Sequence, residues 1–303
     1  MLKDSQDATG HGLYNYLKEK CGSTIVERDD GYFDVDDLSR YFSTYSDWPK
    51  HEKKAMKYVR GRVLDIGCGA GRHSLYLREK GIEVLGIDNS PLAIEVCKLR
   101  GLKNAKVMSI TQISSKLGVF DTILMMGNNF GLFGSFKRAK WLLNKIFRIT
   151  SENGRIIAES IDPYKTEKPE HLEYHKFNKR RGRMPGQVKI RLRYNKYVTP
   201  WFDYFFVSKE EMESILVGTS WKIKKFIDSK SSSYVAIIEK ENYDMRAHKL
   251  LVVNALALAM LGATNKWIYG SLRSTKTAFG AFRYTPTIIG NCKIQKIFES
   301  GAE

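Results

Sequence analysis

From residue 62 onward, short apolar runs alternate with amphipathic stretches. Residues 62–66 form an apolar run that ends in a glycine-rich turn, which predicts a buried strand. Residues 72–80 read as a helix stopped by Gly81, and 83–87 as a second strand. Residues 91–99 read as a helix with Ser90 as N-cap and Pro91 in its first turn. Strands over 105–109, 120–126 and 155–160 and a long amphipathic helix over 135–150 continue the series. Residues 209–217 then read as helix, and 221–228 and 233–239 as strands. The pattern implies α/β architecture: a doubly wound, mostly parallel seven-stranded sheet closed by an antiparallel hairpin.

Three segments fall outside this rhythm. Residues 1–55 are polar with scattered aromatics and read as an N-terminal helical cap with loops, followed by a helix over 50–58. Residues 163–207 interrupt the core (56–245) as an insertion after strand five. Within it, 188–194 alternates like an exposed strand. Residues 246–303 form a C-terminal extension whose stretch 250–263 is almost wholly apolar. At about 14 residues it is too short to span a bilayer of roughly 30 Å and reads as a buried or interface helix.

Composition narrows the setting. Hydrophobic residues make up 43% of the 303, enough for a packed core. Cys21, Cys68, Cys97 and Cys292 are scattered, with no C-x-x-C pair and no histidines at zinc spacing. The expectation is no disulfide, no metal and a reducing cytoplasm. The N-terminus lacks the apolar run of a signal peptide. The net charge of +17 is uneven. Residues 1–50 hold six Lys/Arg against ten Asp/Glu, residues 165–196 eleven against three, and residues 246–303 eight against two. The basic surplus admits two readings: attraction to phosphate- or carboxylate-bearing partners, or a solvated basic face.

The chemistry centres on Asp65-Ile66-Gly67-Cys68-Gly69-Ala70-Gly71, a strand that delivers a carboxylate and then a bare-backbone turn into a helix. Such a turn lets a ligand approach the backbone and meet the free N–H groups of the helix start. Asp88 ends the second strand, 21 residues after Gly67, where a carboxylate accepts from ribose hydroxyls. A dinucleotide site expects G-x-G-x-x-G, but here the third glycine comes one residue early and Arg72 takes its place.

The D-x-G-x-G-x-G run resembles motif I of class I S-adenosylmethionine (SAM)-dependent methyltransferases, and Gly86-Ile87-Asp88 resembles their second motif. The likeness covers roughly residues 55–162 and 208–240. It implies SAM as cofactor. Gly67, Gly69 and Gly71 would line the methionine part, with Cys68 inside the same turn. Asp65 would orient the amino group and Asp88 hold the ribose, with Asn89 at the adenosine edge. Ser109 and Ile110 would lie near the adenine, where the family often has an acidic or amide residue. The plain structural readings are a cap for Asp65 or Asp88 and a small packing residue for Cys68.

The acceptor side is less defined. Strand four ends in Met126-Gly127-Asn128-Asn129-Phe130, so Asn128 and Asn129 are the candidates for positioning the acceptor at the transferred methyl. The segment matches neither the N/D-P-P-Y/F motif of exocyclic-amine methylation nor the cysteine pair of cytosine C5 methylation. The insertion reads as a lid. Arg191 and Arg193 would share one strand face and bind an acceptor carboxylate or phosphate, with Trp201 as an aromatic wall. His171 and His175 are candidate bases, and the N-terminal aromatics Tyr41, Tyr45 and Trp48 candidate closures of the pocket. Three function classes stay open: methylation of a small molecule, anionic if the arginine pair binds it; methylation of RNA; and SAM binding without catalysis.

Overall fold

The computed structural model describes residues 2–241 and, as backbone strands, residues 283–289 and 292–299. Residues 1–241 and 242–303 are separate compact units. In chain order the first unit contains α1 (Ala8–Glu19), β1 (Ser23–Arg28), β2 (Phe33–Asp37), α2 (Lys50–Met56), β3 (Val63–Ile66), α3 (Arg72–Glu79), β4 (Val84–Asp88), α4 (Pro91–Leu99), β5 (Ala105–Val107), β6 (Phe120–Met125), α5 (Phe136–Arg148), β7 (Thr150–Ile161), α6 (Pro169–Arg180), β8 (Gln187–Tyr194), β9 (Tyr197–Val198), β10 (Phe202–Phe205), α7 (Lys209–Leu216), β11 (Trp221–Asp228) and β12 (Ser233–Lys240). The second unit pairs β13 (Arg283–Ile289) antiparallel with β14 (Cys292–Glu299). The apolar stretch 250–263 lies outside the described residues. Among the described residues no helix is long and apolar enough to cross a membrane.

The main sheet has seven strands in the order β11-β12-β7-β6-β3-β4-β5. β7, β6, β3, β4 and β5 run parallel, and β12 and β11 close the sheet antiparallel. Chain order reverses between β3 and β6, so ligands are expected beyond their carboxyl ends. The central strands are buried on both faces, which is why they read as unbroken apolar runs. α5 covers one face with Ala139, Leu142, Leu143 and Ile146, a stripe at helical spacing.

The cap and the insertion are not separate appendages. β1, β2, β8, β9 and β10 form one five-stranded antiparallel sheet, with β8 between β1 and β10. The expectation of a helical cap with loops is thus corrected: residues 23–37 are a hairpin that completes the insertion's sheet. Ion pairs accompany this closure. Glu27 of β1 meets Arg191 and Arg193 of β8, and Asp29 meets Arg181. The acidic surplus of the N-terminus and the basic surplus of the insertion therefore partly satisfy each other.

Candidate functional site

A cavity of about 870 Å³ opens at the carboxyl ends of β3, β4 and β6 and extends along the inner face of the second sheet. Its floor is the first part of the glycine turn, Gly67 and Gly69; Gly71, expected to line the methionine part, lies outside the lining and packs towards Cys97 and Leu102. Gly67, Gly69 and Gly71 have φ of 72°, 54° and 78°, the left-handed region that disfavours other residues. A methyl group added at Gly69 would stand 3.0 Å from the Tyr41 ring, so both the backbone bend and the space above it require glycine there.

Asp88 faces this turn. One carboxylate oxygen accepts from the Gly69 N–H at 3.1 Å and the other from the Ser90 N–H at 3.0 Å. Burial pushes its pKa up to about 6, against the lowering effect of those two hydrogen bonds. Ser90 in turn caps α4 by accepting from the Ala93 N–H at 2.9 Å. Gly67, Gly69, Asp88, Asn89, Ser109 and Ile110 all line the cavity. Asp65 lies beneath it, buried and accepting from the Ser74 hydroxyl at 2.6 Å, so its carboxylate supports the turn from below. Cys68 is also buried, its sulfur 3.9 Å from that of Cys97, which donates to the Gly69 carbonyl at 3.0 Å.

The end of β6 joins the two halves of the cavity. Asn129 donates to the Ile66 and Gly67 carbonyls at 3.0 and 2.9 Å, so its amide is spent on holding the glycine turn. Asn128 sits at φ 64°, and its carbonyl accepts from the Tyr204 hydroxyl at 2.7 Å. Its side-chain oxygen is buried with no partner among the described residues, while other atoms of the residue line the cavity. Glu159 of β7 secures this corner by accepting from the Gly127 N–H at 2.8 Å while paired with His51 at 2.9 Å. His51, Glu52 and Glu159 bring potential ligand atoms within 4.8 Å of one another. Glu52, however, is held by Arg72 at 2.7 Å and His73 at 3.1 Å, so the cluster reads as an internal ion-pair network.

The second sheet supplies the remaining wall, and here two expectations are corrected. Val188, Ile190 and Leu192 of β8 face the cavity. Residues two apart share a face, so Arg191 and Arg193 point to the opposite side. There Arg191 forms a two-pronged pair with Glu27 at 2.8 and 2.7 Å, and Arg193 joins the same carboxylate. The two guanidiniums hold the Glu27 carboxyl down at about 2. Trp201 lies with them, under the Arg191 guanidinium at 4.5 Å, while its neighbours Pro200 and Phe202 line the cavity. These three residues are a sheet-surface cluster and not an acceptor subsite.

Arg28, Asp36 and Tyr204 line the cavity without having been singled out in the sequence. Tyr32, Tyr174 of the lid and Tyr41, one of the expected closures, line it too, and the Tyr41 hydroxyl donates to Asp36 at 3.0 Å. Tyr45 and Trp48 instead pack against Tyr76 in the core. His171 and His175 line the cavity from one face of α6, and burial pushes both pKa values down, which favours neutral imidazole. The missed signal was the period-two pattern Val26, Arg28 against Ile25, Glu27 in β1.

This sheet order, glycine turn and carboxylate define the class I SAM-dependent methyltransferase architecture. The methyltransferase-domain family matches residues 59–215, just over half of the chain, and the chain belongs to that family. A SAM-dependent methyltransferase of Bacteroides fragilis, crystallised with S-adenosyl-L-homocysteine, is 26% identical. It superposes with a TM-score of 0.68 over 79% of this chain and 97% of its own. The YqeM protein of Bacillus subtilis, named a methyltransferase, is 23% identical over 45% of this chain. The 2-heptyl-1-hydroxyquinolin-4(1H)-one methyltransferase of Mycobacteroides abscessus is 40% identical over 22% of it. The chain spans 56% and 32% of the lengths of these two curated relatives. The residues fit an adenosyl group: only bare backbone stands at Gly69, and the Asp88 carboxylate beside it is still open to the cavity.

Proposed function

We propose that this protein transfers the methyl group of SAM to a small molecule held between its two sheets. One observation carries the reading. The cavity, about 870 Å³, runs without a break from the glycine turn and Asp88 to the inner face of the second sheet, so a cofactor on the turn and an acceptor on the sheet would share one space. Bound SAM supplies a sulfonium-activated methyl group. The chain's task is to orient the two reactants in line and keep water out. Gly67 and Gly69 give the cofactor its bed, Asp88 accepts from the ribose, and Asn128 at the end of β6 lines the same cavity. Walls of Val188, Ile190, Leu192 and Phe202 favour an acceptor with an apolar body.

RNA is the second reading. Its sequence support was the basic surplus, part of which is paired internally with Glu27 and Asp29. A tRNA (uracil(54)-C(5))-methyltransferase of Pyrococcus horikoshii is 33% identical, but over only 26% of this chain and 21% of its own length. The decisive test is incubation of the purified protein with methyl-labelled SAM and cell extract, followed by size fractionation. Label in the small-molecule fraction is the expected result. Label in RNA, or SAM binding without any transfer, overturns the reading in favour of the second or third class.

A further inference from the structure

At the end of the cavity distant from the glycine turn, we infer a subsite for the carboxylate of an acceptor with an apolar ring, formed by Arg28, His171 and His175. The inference rests on the methyl-transfer reading and adds the chemical class of the acceptor.

Arg28 is 7% exposed, and its guanidinium is sandwiched between the rings of Tyr32 and Tyr174, with centroids 4.6 and 4.2 Å away. Nε and Nη2 are spent on Asp30 at 2.8 Å each, and Nη2 also donates to the Glu170 carbonyl at 3.0 Å. Nη1 makes no hydrogen bond among the described residues, yet Arg28 lines the cavity. A buried guanidinium with one free nitrogen, Nη1, can still donate to an anionic oxygen.

The two imidazoles complete the end wall. His171 and His175 lie one turn apart on α6. The Thr166 hydroxyl meets Nδ1 of His171 at 3.1 Å, leaving Nε2 for a ligand. Arg28 and Lys168 act on His171 more strongly than the opposing Glu170 and Asp34, while His171, Arg28 and Lys179 all act on His175 in one direction. Arg28 and the two lysines are thus the main cations acting on the imidazoles, with Asp34 the opposing charge on the cavity lining. Asp30 already offsets much of the Arg28 charge, so the remaining capacity suits a monoanion and not a phosphate dianion. Val26, Ile190 and Leu192 adjoin the subsite and match an apolar ring.

The test uses the full-length protein loaded with S-adenosylhomocysteine and two probes of equal shape, benzoate and benzamide. Calorimetry gives the affinities, and NMR titration of the imidazole resonances reports the site, with His171→Gln and His175→Gln supplying the assignments. Benzoate should bind at least tenfold more tightly than benzamide and raise the pKa of both histidines, because a bound anion stabilises imidazolium. Equal affinities, or benzoate binding that leaves both resonances unmoved, would overturn the subsite while S-adenosylhomocysteine binding leaves the cofactor site of the methyl-transfer reading intact. Failure to bind S-adenosylhomocysteine sinks that reading and the subsite with it. The wild-type titration carries the result even if Arg28→Gln, which strands Asp30, does not fold.

Discussion

Asp88→Asn should make the ligand-free protein more stable and its grip on the cofactor weaker. In the native state the Asp88 carboxyl is raised from 3.8 to about 6 by burial. A rise of about 2 units corresponds to roughly 3 kcal/mol against the ionised form, at about 1.4 kcal/mol per unit. Asparagine removes that charge, but its amide can accept from only one of the Gly69 and Ser90 N–H groups. The other donor is left unsatisfied at a cost of about 1–2 kcal/mol. A net gain of about 1–2 kcal/mol remains at pH 7.5, a Tm rise of roughly 2–8 °C for a chain of this size. The pH dependence fixes the cause. Between pH 4 and 6 the native carboxyl keeps its proton while the unfolded chain has lost it. The native state thus binds more protons, and stability falls as pH rises through this window. The variant's advantage should therefore cross zero near about pH 5, reverse towards about pH 4 and be complete above about pH 7. Binding moves the opposite way, because hydrogen bonds from ribose hydroxyls to a charged carboxylate contribute about 1.5–3 kcal/mol each. The variant should bind S-adenosylhomocysteine about 10–100-fold more weakly at pH 7.5. Thermal melts across pH 4–8 and calorimetry check both halves. Unchanged affinity refutes the ribose role, and a Tm difference that ignores pH refutes the buried-charge explanation.

Two further outcomes follow from the same geometry. Arg191→Ala combined with Arg193→Ala should leave S-adenosylhomocysteine affinity unchanged and cost about 1 kcal/mol of stability, since the Glu27 cluster lies on the outer face and is partly solvated. The cost, read from denaturant midpoints, should be present at pH 7 and fade as pH falls from about 4.5 towards 2, where Glu27 takes up its proton. His51→Ala should cost about 3 kcal/mol, because it leaves the buried Glu159 carboxylate with only the Gly127 N–H. Hydrogen exchange at Gly127 should speed up in that variant ahead of exchange in the β3 and β6 core. Uniform loss of protection would show that His51 supports the whole fold and not this corner.

The contrast between the two sheets shows which physics is legible along a chain. The nucleotide-binding half was readable because each of its signals is local. A strand buried on both faces is a continuous apolar run, a helix starts at Ser90 with Pro91 behind it, and the predicted helix 91–99 coincides with α4. The second sheet was not readable, because β1 meets β8 across 164 residues of sequence and neither strand carries a mark of its partner. Its charges also mislead when read singly. A basic insertion read alone suggests an outside partner, yet Arg191 pairs with Glu27 of the acidic N-terminus. The alternation of 188–194 did place Arg191 and Arg193 on a common face, but no local rule says which face a half-buried strand turns inward. That choice is made by the partner strand. β1 turns Val26 and Arg28 inward, so β8 in register with it must turn Ile190 and Leu192 inward as well. A slip of one residue in that pairing would exchange the arginines with the apolar wall. The charge that faces the cavity is therefore set by the register between two distant segments, and Arg28 holds the position that the sequence suggested for the other two.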